Sequence, residues 1–212
     1  MSPAGLLLCL LVVVAMVSVV WRLWSRRQSL PCPVWLRWMV ELDNPFTKTN
    51  RADFIIAHLG VEPGMSVLDA GCGPGRLTLK LAQVVGASGR VTALDIQQGM
   101  LDRVRGKADA AGVKNIDYLQ AGLGEGKLSV ETYDRAVLVT VLGEIPAQEA
   151  ALRELFAALK PGGLLSVTEV IFDPHFQTRA TVTRLARAAG FEAVAFLGHR
   201  LAYVMHWRKP AA

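Results

Sequence analysis

"VLDAGCGPGRLTL", residues 67–79, is the stretch on which the reading of this chain turns. It opens on Val67 and Leu68, passes through the acid Asp69, sets glycines at 71, 73 and 75, and runs on into apolar-periodic sequence. A continuous apolar lead-in suits a parallel strand buried on both faces. A glycine turn between strand and helix lets a ligand approach bare backbone. The spacing is not that of the dinucleotide fingerprint, G-x-G-x-x-G: its third glycine would fall on Arg76, and Pro74 stands inside the turn. Asp69 would repel a pyrophosphate there, whereas it suits a ligand carrying a cation such as an amino group or a sulfonium.

Outward from this loop, strands and helices alternate. A helix capped by Thr47 or Thr49 runs to Leu59, with Phe54, Ile55 and Leu59 toward the core. Strands are expected at Ser66–Ala70, Arg90–Asp95, Ile116–Gln120, 133–140 and 164–169, with helices at 75–85, 98–111, 147–159 and 178–189. Pro161-Gly162-Gly163 stops the fourth of these helices, and Gly190 ends the last. Strands at 192–198 and 201–208 follow, joined too tightly for a crossover helix, so they form an antiparallel hairpin. The pattern predicts an α/β, Rossmann-like, seven-stranded, mostly parallel sheet with helices on both faces. Ligands of such sheets bind at the carboxyl ends of the strands. Asp95 closes the second strand, where an acid accepts hydrogen bonds from ribose hydroxyls. A ribose, a positive charge near Asp69 and no demonstrated phosphate together describe S-adenosylmethionine.

"VLDAGCGPG" followed by "VTALD" resembles the class I S-adenosylmethionine-dependent methyltransferases, and "LKPGGLLSVTE" (159–169) and "LARAAGFEAV" (185–194) resemble later stretches of that family. The resemblance covers about 47–209 and is greatest to the quinone-biosynthesis C-methyltransferases and their small-molecule relatives. It implies that Gly71, Cys72, Gly73 and Gly75 shape the methionine end of the cofactor pocket with Asp69 nearby. It further implies that Asp95 binds both ribose hydroxyls and that Ile96 packs on the adenine. The family usually carries an acid after the third strand, and Ala121-Gly122-Leu123 stands there instead. Either the backbone at Gly122 and Leu123 takes over, or Glu125 reaches in. Residues 141–146, after the fourth strand, would line the transfer site.

Methyl transfer from a sulfonium is an in-line displacement in which the protein aligns the acceptor, excludes water and, where needed, removes a proton. Glu144, Glu169, Asp173 and His175 are the polar groups at or beyond strand ends four and five. The catalytic candidates are His175, whose imidazole titrates near neutral pH, and the carboxylates Glu144 and Glu169. A local hydrogen bond for His175 and a surface or capping role for the carboxylates are the competing readings. Cys72 reads as a small filler of the turn. A nicotinamide-linked reductase would need a Tyr-x-x-x-Lys pair, and Tyr118, Tyr133 and Tyr203 are followed at that spacing by Gly122, Val137 and Trp207. A non-catalytic assembly partner of the same fold is the other alternative.

The N-terminus has a different character. No charged side chain occurs between Met1 and Trp21, and residues 5–24 are long enough to cross a bilayer as a helix. Trp21 and Trp24 fall where an interfacial aromatic belt sits, and Arg22, Arg26 and Arg27 follow. A cleaved signal would carry its charge before the apolar run and a small-residue site after it. An uncleaved anchor over 1–27 is therefore expected, in a bacterial-type inner membrane with the domain on the cytoplasmic side. Residues 28–46 form a linker interrupted by Pro31 and Pro33. Within it "VWLRWMVEL" (34–42) either lies on the membrane or packs on the domain, which then spans 47–212. The acceptor would be small and hydrophobic or amphipathic, quinone-like or a lipid, reaching the site from the bilayer past Trp35 and Trp38.

Of the net charge of +5, residues 1–50 carry +3. The domain is thus nearly balanced, without the basic face a nucleic-acid partner would need. Cys9, Cys32 and Cys72 show neither zinc spacing nor a disulfide framework, so no metal is expected.

Overall fold

The computed structural model describes residues 47–211, together with residues 2, 5–10, 12, 13, 16, 17, 19, 20 and 41. Most of the linker expected at 28–46, with Trp35 and Trp38, lies outside the described residues, as does part of the expected span at 5–24. Among the described residues, no helix is long and apolar enough to cross a membrane. Those described within 5–20 are helical, and their large apolar side chains, Leu6 to Val20, are exposed.

A 3-10 helix, Lys48–Asn50, precedes α1, Ala52–Leu59. Then come β1 (Ser66–Ala70), α2 (Thr78–Val85), β2 (Arg90–Asp95), α3 (Gln98–Ala110), β3 (Ile116–Gln120) and β4 (Tyr133–Val139). A second 3-10 helix, Leu142–Glu144, leads to α4 (Gln148–Ala158), β5 (Leu159–Val170), α5 (Arg179–Ala188), β6 (Glu192–His199) and β7 (Ala202–Arg208). The seven strands form one sheet in the order β3-β2-β1-β4-β5-β7-β6. β1 to β5 pair in parallel, and β7 runs antiparallel between β5 and β6.

The apolar strands form as they do because both faces are covered. On one face α4 and α5 bury Leu152, Leu155, Val182 and Leu185 against Leu68, Leu138, Val167 and Trp207. On the other, α1, α2 and α3 bury Ile55, Leu59, Leu81 and Val104 against Val67, Val91 and Val137. Each such large apolar side chain contributes about 1.5–3 kcal/mol on leaving water. The strand order reverses between β1 and β4, so a crevice opens at their carboxyl ends.

α1 begins at Ala52 behind Arg51, and neither expected cap serves it: the Thr47 and Thr49 hydroxyls are buried without a hydrogen-bond partner among the described residues. Two further element starts differ from expectation by three residues or more. α2 begins at Thr78 rather than 75, because Gly71, Gly73 and Gly75 all hold positive φ (74°, 51° and 83°) and the chain cannot coil helically until it is past them. β5 begins at Leu159, running through Pro161-Gly162-Gly163 instead of starting after them. Its extension is held by Gly162 N–H donating to Lys209 O (2.9 Å) and Lys209 N–H donating to Gly163 O (3.0 Å).

Candidate functional site

The loop after β1 is latched to the end of β2. The Asp95 carboxylate accepts the Gly73 amide through Oδ2 (2.9 Å) and the Gln97 amide through Oδ1 (2.8 Å). Each oxygen keeps a further lone pair for another donor. Burial raises the Asp95 pKa, and the two amides oppose that rise. A Cβ built on Gly73 would meet nothing within 4 Å, so the backbone there faces open space. One on Gly71 would stand 2.5 Å from Val141 Cγ2, so the loops after β1 and β4 close directly on one another. Gly75 is needed for helix packing: its Cβ would press Leu79 and Val104 at 3.0 Å. Cys72 is buried, and burial pushes its thiol pKa well up, which fits the filler reading.

Asp69, buried at the end of β1, accepts a hydrogen bond from Thr78 Oγ1 at 2.6 Å. Burial lifts its carboxyl to about 6, against the pull of Thr78 and the nearby Arg76 guanidinium. Arg76 reaches across the loop, donating from Nη1 to Asn50 O (2.6 Å). The segment before α1 is thereby tied to the glycine loop. Ile96 is 57% exposed at the mouth beside Asp95, an apolar side chain left in the open.

Beyond β3, a Cβ on Gly122 would stand 2.6 Å from Glu125 Oε1. The Glu125 carboxylate therefore folds back over bare Gly122 backbone. Glu154, from α4, fixes this loop by accepting the amides of Gly124 and Leu128. Leu123 packs half-buried against the core.

Beyond β4 and β5 the expected polar residues come together. His175 Nδ1 lies 3.8 Å from Glu144 Oε1, with the histidine side chain 4% exposed and the glutamate 22%. The His175 amide donates to Asp173 Oδ1 (2.7 Å). Glu169 is sealed below: its Oε2 accepts the Gln177 amide (2.9 Å), its Oε1 has no hydrogen-bond partner, and burial pushes its carboxyl up to about 8. Tyr203 donates its hydroxyl to Gln177 O (2.6 Å). Gly143 is forced at its position, because a Cβ there would overlap His175 O. Thr140, the residue after β4, holds φ of 56°, a conformation a β-branched residue rarely adopts.

Thr78, the Arg76–Asn50 clasp and the strained Thr140 were not singled out from sequence. Thr78 was within reach, since a hydroxyl in the first turn after the glycine loop returns to the strand end. The clasp and the strain are tertiary and leave no local signal. Among the described residues, no cluster of side chains is suited to hold a metal ion.

The pocket's chemistry fits S-adenosylmethionine: open space at Gly73 for the methionine end, a buried acid near a cation, free lone pairs on Asp95 for a ribose, and apolar Ile96 for a base. Residues 67–163 match the family described as "Methyltransferase domain". The chain is 38% identical over 125 residues to the ubiquinone/menaquinone biosynthesis C-methyltransferase UbiE of Vibrio vulnificus, covering 57% of this chain and 48% of that protein. The chain thus spans about half the length of the curated relatives it matches. Among solved structures, a SAM-dependent methyltransferase from Aquifex aeolicus superposes with a TM-score of 0.74 at 20% identity, covering 84% of this chain and 99% of that one. The cyclase SpnF does so at 0.70 and 19% identity, covering 77% and 82%. These two likenesses speak to the fold alone.

Proposed function

We propose that the chain, whose residues 67–163 match a methyltransferase domain, uses S-adenosylmethionine as cofactor and is a membrane-tethered enzyme methylating a small hydrophobic or amphipathic acceptor, quinone-like or a lipid. The observation that carries this reading is the Asp95 latch, which holds the glycine loop open while keeping carboxylate lone pairs for a diol. The UbiE relatives support the quinone-like acceptor. Composition supports the tether: residues 5–24 are uncharged but for Arg22 and are followed by Arg26 and Arg27.

When bound, the cofactor supplies a methyl group made electrophilic by its sulfonium. Asp69 and the loop of Gly71, Cys72, Gly73 and Gly75 would hold its cationic end, and Asp95 would accept hydrogen bonds from its ribose. Exposed Ile96 would pack on the adenine, with the Gly122 and Leu123 backbone and the Glu125 carboxylate at its rim. Val141 and Thr140 wall the transfer site. Glu144, the more open partner of the Glu144–His175 pair, takes the acceptor's proton on its carboxylate and passes it to solvent, with the buried His175 imidazole 3.8 Å behind it. Glu169, protonated at neutral pH, holds residues 171–178 in place through Gln177 and acts through them.

The test is transfer of tritiated methyl from S-adenosylmethionine by the detergent-purified full chain to a panel of quinols, phospholipids and water-soluble phenols. Label in the organic-soluble acceptors is expected. Label in the water-soluble acceptors alone would reject the acceptor class.

A further inference from the structure

We propose that the lip formed by the β6–β7 turn, the loop after β5 and the segment before α1 seats on an anionic lipid surface and presents the site's mouth to the bilayer. This deepens the tethered reading given above and rests on it.

Three segments meet at this lip. Thr49, in the 3-10 helix before α1, packs against Gly198: a Cβ there would lie 2.8 Å from Thr49 Cγ2. The β6–β7 turn joins the loop after β5 through Ile171 N–H donating to Leu201 O at 2.7 Å. The same edge holds the glycine loop, through Arg76 and Asn50. Phe172, 71% exposed, and Leu201, 41% exposed, are its large apolar side chains. Lys48, Arg179 and Arg200 are exposed around them, with Arg179 stacked over Phe196 at 4.3 Å. Exposed aromatic and aliphatic side chains ringed by Lys and Arg are the composition of a surface that lies on anionic headgroups. Asp173 is the lip's acid, and it is turned inward onto the His175 amide.

The chain's course favours the same occupant. The apolar N-terminal stretch ends at Trp24, and the connector, residues 25–46, passes Glu41, which pairs with Arg103 and Lys107 of α3, before the 3-10 helix whose Thr49 packs on Gly198 at this lip. A connector of that length reaches tens of ångströms when extended, at about 3.3–3.6 Å per residue, and does not by itself press the domain down. A lipid-facing lip does. Docking there puts the crevice between β1 and β4 against the bilayer, where an apolar acceptor is concentrated.

The experiment is electron paramagnetic resonance on the full chain in vesicles, with a nitroxide on Phe172→Cys in a Cys9→Ala, Cys32→Ser background. Val130→Cys is the control: that residue is exposed and lies at the opposite edge, beside Glu131, which pairs with Lys209 beyond the end of β7. In vesicles containing phosphatidylglycerol, the label at 172 is expected to collide with oxygen in preference to a water-soluble nickel chelate, and the label at 130 to do the reverse. Lys48→Glu and Arg200→Glu should each lower the ratio of docked to undocked protein at least about fivefold, from the loss of roughly 1 kcal/mol per basic group. Protein that floats with the vesicles while its 172 label stays accessible to nickel overturns the lip and leaves the tether standing. Equal shielding at 172 in phosphatidylcholine alone overturns the anionic partner. Protein that does not float overturns lip and tether together.

Discussion

Asp95 Oδ2 accepts the backbone amide of Gly73 at 2.9 Å, so the end of β2 sets the shape of the loop that follows β1. The carboxylate would thus shape the pocket and bind the ribose at once. Asp95→Asn leaves a single acceptor oxygen for two amides. It should weaken S-adenosylmethionine binding by about 10–100-fold, and Asp95→Ala should also cost about 1–3 kcal/mol of stability from the abandoned amides. Calorimetry and thermal melts of the two variants check this.

Gly71 faces Val141 with φ of 74°. Gly71→Ala should destabilise by roughly 2 kcal/mol through strain and overlap. Adding Val141→Ala should return the overlap share and leave the backbone share, a non-additivity read from a double-mutant cycle.

Asp69 titrates near 6 because burial disfavours its charge. A cationic ligand needs it ionised, so affinity for S-adenosylmethionine should hold above pH 6 and fall as pH drops below it. Asp69→Asn should bind more weakly near pH 7 and lose most of that dependence. Affinity measured from pH 5 to 8 decides.

Glu169 carries the opposite consequence, for stability. Its folded pKa of about 8 exceeds the ordinary 4.5, so between those values the native state holds the proton and the unfolded state does not. Stability should therefore fall as pH rises from 4.5 through 8. Glu169→Gln should flatten that fall and melt higher than the parent above pH 8. A melting series across this range would show no such crossover if the carboxyl were solvated.

Glu125 lies over Gly122, where an acid is absent from the chain itself. If its carboxylate serves the adenine end, Glu125→Ala should weaken cofactor binding about 3–10-fold, the worth of one hydrogen bond. Calorimetry of that variant, with S-adenosylhomocysteine as a second ligand, reads it.

The strands were legible because a buried parallel sheet writes itself as short apolar runs: β1, β2 and β3 begin and end where the sequence puts them. β5 was longer than expected because its first residues pair with Lys209, some fifty residues on, and no local pattern reports that. The gathering of Glu144, Glu169, Asp173 and His175 was legible from their position at strand ends. Their depth was not. Sequence favoured His175 as a base because an imidazole titrates near neutral pH; the fold buries its side chain and leaves Glu144 the more open partner of the pair. Glu125 was named as an alternative, and only the turn fixed by Glu154 brings it over Gly122.

The most direct measurement is a calorimetric titration of S-adenosylmethionine into the detergent-purified full chain beside its Asp95→Ala variant. Micromolar binding by the parent, lost in a folded variant, is the predicted result. A parent that melts cooperatively yet binds no S-adenosylmethionine would contradict the account.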